Sequence, residues 1–322
     1  MTRIGIVLGA GGVLGHAFHV GVLRAIEEAT GFDPRDAEII VGTSAGSHVA
    51  AYLRAGADTA TLADRVAGER SEGPGGRLRH RLGDPLPVPP PRPGLGMAAP
   101  RLALRSLARP WATRPGVAAA AWLPSGQVSM RPFAARINWL YEDGRWPSSS
   151  LWLPVVELER GARVVLGRGD APDVDVGTAV AASCAVPSWF RPVSIGGVRY
   201  VDGGVHSPTN LDLLAEQGLD LVIVSSPMSI VRDTRPRADL GARWSMRWRL
   251  GQEARAVRRS GTEVLAFQPT AADVAAMGFN AMDPTRRRAV VRQAQASAAR
   301  RLESHDTRAR LAPLLPAPPR RG

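Results

Sequence analysis

The chain contains no lysine. All 41 basic side chains are arginine, against 29 acidic ones, which leaves a formal charge of +12 over 322 residues. Arginine alone, beside abundant alanine, 34 glycines and 27 prolines, fits a GC-rich coding bias as well as selection for a basic surface. Such an excess still favours acidic surfaces, either anionic lipid or nucleic acid. No helix-turn-helix, zinc-finger or RNA-recognition signature accompanies it, so no nucleic acid partner is expected. Cysteine is nearly absent as well. Cys184 stands alone, which excludes an intramolecular disulfide framework and suits a reducing compartment. Long apolar runs are also missing. Residues 4–23 come nearest to a signal peptide or membrane helix, but six glycines and two histidines break them and no small-residue cleavage site ends them. No other run reaches the length that spans a bilayer. The expectation is a cytoplasmic protein, at most peripheral on a membrane, built as one large α/β domain.

What the chain does have is glycine at the ends of apolar runs. Glu38-Ile39-Ile40-Val41 reads as a buried strand and runs into Gly42-Thr43-Ser44-Ala45-Gly46. This fits the G-x-S-x-G nucleophile elbow, in which the serine occupies a sharp strand-to-helix turn that only small neighbours allow. A helix from Ser47 to about Ala57 would aim the positive end of its dipole at Ser44. Upstream, a strand over Thr2–Leu8 leads into Gly9-Ala10-Gly11-Gly12-Val13-Leu14-Gly15 and a helix from about His16 to Ala29. Strand, glycine loop and helix N-terminus together present backbone N–H groups to an anion. That anion could be a pyrophosphate or the oxyanion of an acyl-transfer intermediate. The dinucleotide pattern G-x-G-x-x-G fails by one residue, because Leu14 stands where glycine is needed. The acid expected at the end of the second strand is replaced by the elbow. Far downstream, Val198-Arg199-Tyr200-Val201 reads as a short strand ending in Asp202-Gly203-Gly204, which places a carboxylate beside two glycines.

Taken together, the three segments resemble the patatin-like phospholipase family, whose signature is a glycine-rich oxyanion loop, G-x-S-x-G and a distant D-G-G or D-G-A, in that order. The resemblance continues through Ala182-Ser183-Cys184-Ala185-Val186-Pro187 and spans most of residues 4–300. It implies a three-layer α/β sandwich with a mostly parallel central sheet and a Ser–Asp dyad. Ser44 would be the nucleophile and Asp202 the general base, with the backbone N–H groups of Gly11, Gly12 and Val13 as the oxyanion hole. Gly9, Gly15, Gly42, Gly46, Gly203 and Gly204 are the motif glycines. Neither metal nor cofactor is implied, and the substrate would be a lipid ester. Many members carry arginine where this chain has Leu14, so a cation available to a phosphate headgroup is missing there. Two alternatives stay open: an acyltransferase or thioesterase using the same acyl-enzyme, and a non-catalytic lipid- or nucleotide-binding module.

Most serine hydrolases use a histidine base, but nothing in the pattern orients His16, His19, His48 or His206. Residues 151–166 read as a hairpin turning near Gly161, Leu219–Ser226 as a buried strand and Arg286–Leu302 as a closing helix. The catalytic domain is expected to cover 1–303. Within it, about 68–126 is an Arg/Pro-rich insertion, with Pro85–Pro93 extended and residues 102–109 a short basic amphipathic helix. Its composition argues against packed core, leaving a solvated disordered insertion, or a lid or element that contacts anionic membrane. Residues 304–322 are expected to be a disordered tail. Oligomeric state is not encoded in any pattern here.

Overall fold

The computed structural model describes residues 2–69, 89–141, 144–231 and 240–311. Two strand–loop–helix units open the chain: β1 (Ile4–Leu8) with α1 (Gly12–Thr30), then β2 (Ile39–Gly42) with α2 (Ala45–Arg54). The two strands pair in parallel, Gly5 opposite Ile39 and Leu8 opposite Gly42, with α1 as the crossover that parallel pairing requires. β7 (Leu221–Ser225) flanks β1 on its other side, followed by β8 (Glu263–Phe267), both parallel. β3 (Ser150–Glu157) pairs in parallel with β2, then turns back as antiparallel β4 (Ala162–Leu166). The turn passes through Gly161 at φ 69°, a left-handed conformation that glycine adopts without a Cβ penalty. β6 (Val198–Asp202) runs antiparallel to β3 and carries β5 (Val193–Ile195) at its edge. The order is β5-β6-β3-β2-β1-β7-β8, with β4 paired to β3.

Alternation along the strands sorts the core into two faces. Ile6, Leu8, Ile40, Ile223 and Leu265 join one apolar cluster with α1, α2, α3 (Thr59–Ala67) and α10 (Arg287–Leu302). Val7, Val41, Val222, Val224 and Val264 join the other, with Leu250, Ala254 and Val257 of α8 (Leu240–Arg259). The architecture is therefore helices on both faces of a mostly parallel sheet, the three layers that the sequence implies.

Two expectations are corrected. The second half of the 68–126 segment is packed, not merely solvated. It forms α4 (Pro100–Ala108) and α5 (Pro115–Trp122), and Leu102, Ala103, Val117 and Ala121 bury against Val156, Leu158 and Val201 of the sheet. Prolines at the first turns of these helices start them instead of breaking them, because the missing N–H is unpaired there in any case. The basic helix expected over 102–109 is thus present, as α4. The extended proline tract is described from Pro89 onward, and its Pro93 makes an isolated antiparallel bridge to Gly126; residues 85–88 lie outside the described residues. The tail is corrected too: α11 (His305–Leu311) continues the fold and buries Thr307 and Leu311. Residues 312–322 lie outside the described residues.

Candidate active site

The site forms beyond the carboxyl ends of β1, β2 and β6, where open α/β sheets bind their ligands. Ser44 separates β2 from α2 at φ 53° and ψ −120°. A non-glycine residue in this region carries strain of order 1–3 kcal/mol that the surroundings must hold in place. Several contacts do so. The Thr43 N–H donates to Leu8 O at 2.9 Å, and the Ser44 N–H donates to Ser183 Oγ at 3.1 Å. Ser183 in turn donates to Pro154 O at 2.9 Å, and the Ser47 hydroxyl donates to Ser44 O at 2.6 Å. Gly46 lets α2 lie against the end of β1: a Cβ there would stand 1.9 Å from Leu8 O.

Asp202 is the last residue of β6 and is 4% exposed. Its N–H donates to Ala185 O at 3.1 Å, and its carboxylate accepts from the Gly204 N–H at 2.7 Å. The segment after α7 (Val176–Ser183) therefore reaches both residues, Ser44 through Ser183 and Asp202 through Ala185. Burial pushes the Asp202 carboxyl up to about 6; interaction with the Ser44 hydroxyl and the bond from Gly204 oppose that rise. A buried carboxylate with few donors is costly to ionise, and a pKa near 6 leaves it a competent proton acceptor at neutral pH.

The glycine loop closes the other side. Gly9 N–H donates to Ser225 O at 3.0 Å, Ala10 N–H to Pro208 O at 2.7 Å and Leu14 N–H to Ala281 O at 2.9 Å. Between them, the N–H groups of Gly11, Gly12 and Val13 have no acceptor among the described residues. The Ala45 N–H, first in α2, is likewise without one. Gly204 approaches the loop, since a Cβ on it would lie 3.2 Å from the Ala10 methyl. The geometry brings together Ser44, Asp202 and the loop. Gly9, Gly15, Gly42 and Gly203 are spacers at close crossings, with Gly203 against Pro154 O and Gly15 against Pro227 and Ala45.

A cavity of about 320 Å³ opens from Ser44. Gly12, Val13, Ser44 and Ala45 line it, and Gly11 and Asp202 do not. Met130, Phe133, Val186 and Phe190 supply apolar lining. His16 and His48, with ring centroids 4.9 Å apart, and Tyr52, 4.3 Å from His48, line it as well, and Phe133 packs edge-on against His48 at 4.7 Å. Burial and nearby arginines hold both imidazoles well below the usual histidine range. Neither is hydrogen-bonded to Ser44 or Asp202. His19 is a structural residue, bridging Ser225 Oγ (2.8 Å) and Gly9 O (2.7 Å). His206 packs near Arg163 and Asp212, its pKa lowered to about 4, first by burial.

Four features left no readable mark in the sequence. Ser183 supports the elbow from 139 residues away, a distance no local pattern spans. Glu253 on α8 is buried and accepts from Ser207 Oγ (2.5 Å), Thr209 Oγ1 (2.6 Å) and Leu211 N (3.0 Å), fixing the loop after Asp202. Asn210 of that loop donates to Thr43 Oγ1 at 3.1 Å, beside the serine. Arginines from three separate helices also line the cavity.

Residues 6–215 match the family described as patatin-like phospholipase, and the chain belongs to that family. Among solved structures it is similar to VipD from Legionella pneumophila, at 13% identity and a TM-score of 0.46, covering 94% of this chain and 67% of that one. It is also similar to the type III effector ExoU, at 18% identity and a TM-score of 0.39, covering 94% and 53%. A third match is the heterodimeric ExoU–SpcU complex from the type III secretion system of Pseudomonas aeruginosa, at 17% identity and a TM-score of 0.37, covering 94% and 51%. The chain thus spans half to two thirds of the length of these proteins.

Proposed function

We propose that this member of the patatin-like phospholipase family hydrolyses fatty-acyl esters of lipids through a Ser44 acyl-enzyme, with Asp202 as the base. The observation that carries the reading is the strained Ser44 set between a buried carboxylate and a run of unpaired loop N–H groups. Ser44 Oγ attacks the ester carbonyl as its proton passes to Asp202. The carbonyl oxygen becomes an oxyanion held by the N–H groups of Gly12 and Val13, with Gly11 as a neighbouring donor, and the loss of one such donor costs about 3 kcal/mol. Collapse expels the alcohol, which takes the proton from Asp202. Water then attacks the acyl-Ser44 carbonyl, giving its proton to Asp202, and the fatty acid leaves as Ser44 recovers its hydrogen. No step needs a histidine, which agrees with imidazoles that have no bond to either residue.

Exposed Leu104, Leu107 and Trp111, at 61, 64 and 82% exposure, stand beside Arg101, Arg105 and Arg109 on α4 and the turn after it. This surface supports contact with an anionic membrane, apolar side chains entering the interface and arginines meeting headgroups. No described helix is long and apolar enough to cross a membrane. The test is fatty-acid release from a panel of phospholipids, lysophospholipids and neutral glycerides by the wild type beside Ser44→Ala. Release by the wild type alone supports the reading; equal release by both proteins removes Ser44 from the mechanism.

A further inference from the structure

The segment after Asp202 touches every part of the site. The His206 and Ser207 N–H groups donate back to Gly203 O at 3.0 and 3.2 Å. Pro208 O accepts from the Ala10 N–H of the glycine loop at 2.7 Å, and a Cβ on Gly9 would stand 3.0 Å from it. Asn210 donates to Thr43 Oγ1 at 3.1 Å, one residue before the nucleophile. Residues 207–210 thus fasten the glycine loop, the elbow and the Asp202 turn to one another. One buried side chain holds them. Glu253 of α8, 7% exposed, accepts from the Ser207 hydroxyl on Oε1 at 2.5 Å. On Oε2 it accepts from the Thr209 hydroxyl and the Leu211 N–H, at 2.6 and 3.0 Å. Arg249 Nε, one turn earlier on α8, stands 3.8 Å from Oε1. These donors leave no freedom. Ser207 Oγ already accepts from the Thr209 and Asn210 N–H groups, at 3.3 and 3.1 Å, so its own hydrogen must go to Oε1. The Leu211 N–H cannot be reversed either. An amide at position 253 would turn its NH2 against one of these fixed donors in either orientation. Only a carboxylate accepts on both sides, and keeping an anion in so buried a place is costly.

We propose that Glu253 is a positioning residue for the Ser44 reaction, setting the glycine loop in its working place through Ser207, Pro208, Thr209 and Asn210. The assignment rests on the hydrolase reading for the reaction that Glu253 serves. Glu253 does not line the cavity, so it acts only through the segment that it holds. The N–H groups of Gly11, Gly12 and Val13 have no acceptor among the described residues, and their direction depends on the bonds that flank them. Those bonds run from Gly9 to Ser225 O, from Ala10 to Pro208 O and from Leu14 to Ala281 O. Of the three, the bond to Pro208 also ties the loop to the elbow and the Asp202 turn, through Asn210 and Ser207. A developing oxyanion gains most from donors fixed beforehand, and a misplacement of about 1 Å can cost roughly 100-fold in rate. Loosening residues 207–211 therefore weakens the transition state far more than it weakens apolar contact with a substrate before reaction.

The test uses Glu253→Gln beside Thr209→Val, which removes one donor to Glu253 with little change of shape. The substrate is p-nitrophenyl butyrate, and active sites are counted by fluorophosphonate labelling carried to completion. Glu253→Gln should lower kcat per site roughly 10- to 100-fold, with KM within about threefold of wild type. Thr209→Val should lower kcat roughly 2- to 10-fold in the same pattern. The inhibition constant of a trifluoromethyl ketone, whose adduct with Ser44 carries the oxyanion, should rise in each variant by the factor by which kcat falls. An unchanged kcat per site, or a loss explained wholly by fewer labelled sites, assigns Glu253 to stability alone and overturns the proposal. If Glu253→Gln does not fold, Thr209→Val decides by the same criteria. Amide hydrogen exchange separates this result from failure of the hydrolase reading. Exchange over residues 9–13 and 43–46 should quicken in Thr209→Val while exchange over α10 stays as in wild type. That outcome with no ester turned over upholds the coupling of Glu253 to the site and counts against the hydrolase reading alone. Exchange unchanged over residues 9–13 overturns the proposal whether or not an ester is cleaved.

Discussion

At the scale of single residues, the decisive feature is a carboxylate placed where ionisation is costly. Asp202→Asn should lower kcat by at least about two orders of magnitude, the usual share of general-base catalysis, as read by steady-state hydrolysis of a soluble ester. Because Asp202 must be ionised to accept a proton, wild-type kcat/KM should rise with pH through about 6 and then level off. The same residue should oppose stability. Its folded pKa lies above its unfolded value of 3.8, so the folded state binds the extra proton between about 3.8 and 6, and the stability that this proton contributes is lost as pH rises through that window. A shift of that size corresponds to roughly 3 kcal/mol. Asp202→Asn should therefore gain stability relative to wild type between pH 4 and pH 7, measured by urea denaturation at both pH values. A difference that does not change with pH would mean that Asp202 is not costly to ionise in the fold. His206→Ala, by contrast, should retain most activity, since the buried Nε2 of that ring has no hydrogen-bond partner among the described residues.

At the scale of elements, α4 carries two predictions of opposite kind. Leu102 is 1% exposed and packs on the sheet beside β6, so Leu102→Ala should cost roughly 2–5 kcal/mol through the cavity it leaves. Leu104 and Leu107 face outward, so the double change Leu104→Ser, Leu107→Ser should leave the denaturation midpoint nearly unmoved. That variant should bind anionic vesicles more weakly in co-sedimentation at low salt; binding equal to wild type at every salt concentration would remove the membrane role from this helix. This packing is also where the sequence misled. Arginine and proline density suggests a solvated loop, whereas a helix needs only one apolar stripe; Leu102 and Ala103 supply it in α4 among arginines, and Val117 and Ala121 of α5 pack beside them. The strands leading to the glycine loop and elbow were legible, because each is a short apolar run ended by glycine. α3, α6 (Arg131–Asn138) and α10 left no comparable mark at the site. Their arginines meet only through tertiary packing, and each looks like ordinary surface charge when read in order along the chain.

At the scale of the whole molecule, the sheet gathers residues 9–15, 42–46 and 202–204 at one end of its strands, and the order of the three motifs was enough to imply that gathering. Ser183, Asn210 and Glu253 were not legible, because they act through bonds across long sequence separations on residues the motifs already name. The central claim is that this framework exists to make Ser44 a nucleophile. Covalent labelling by a fluorophosphonate, followed by peptide mapping, tests it most directly. A single adduct is expected on Ser44, absent in Ser44→Ala, forming much more slowly in Asp202→Asn and faster as pH rises through about 6. An adduct on another serine, or none on the folded protein, would contradict it.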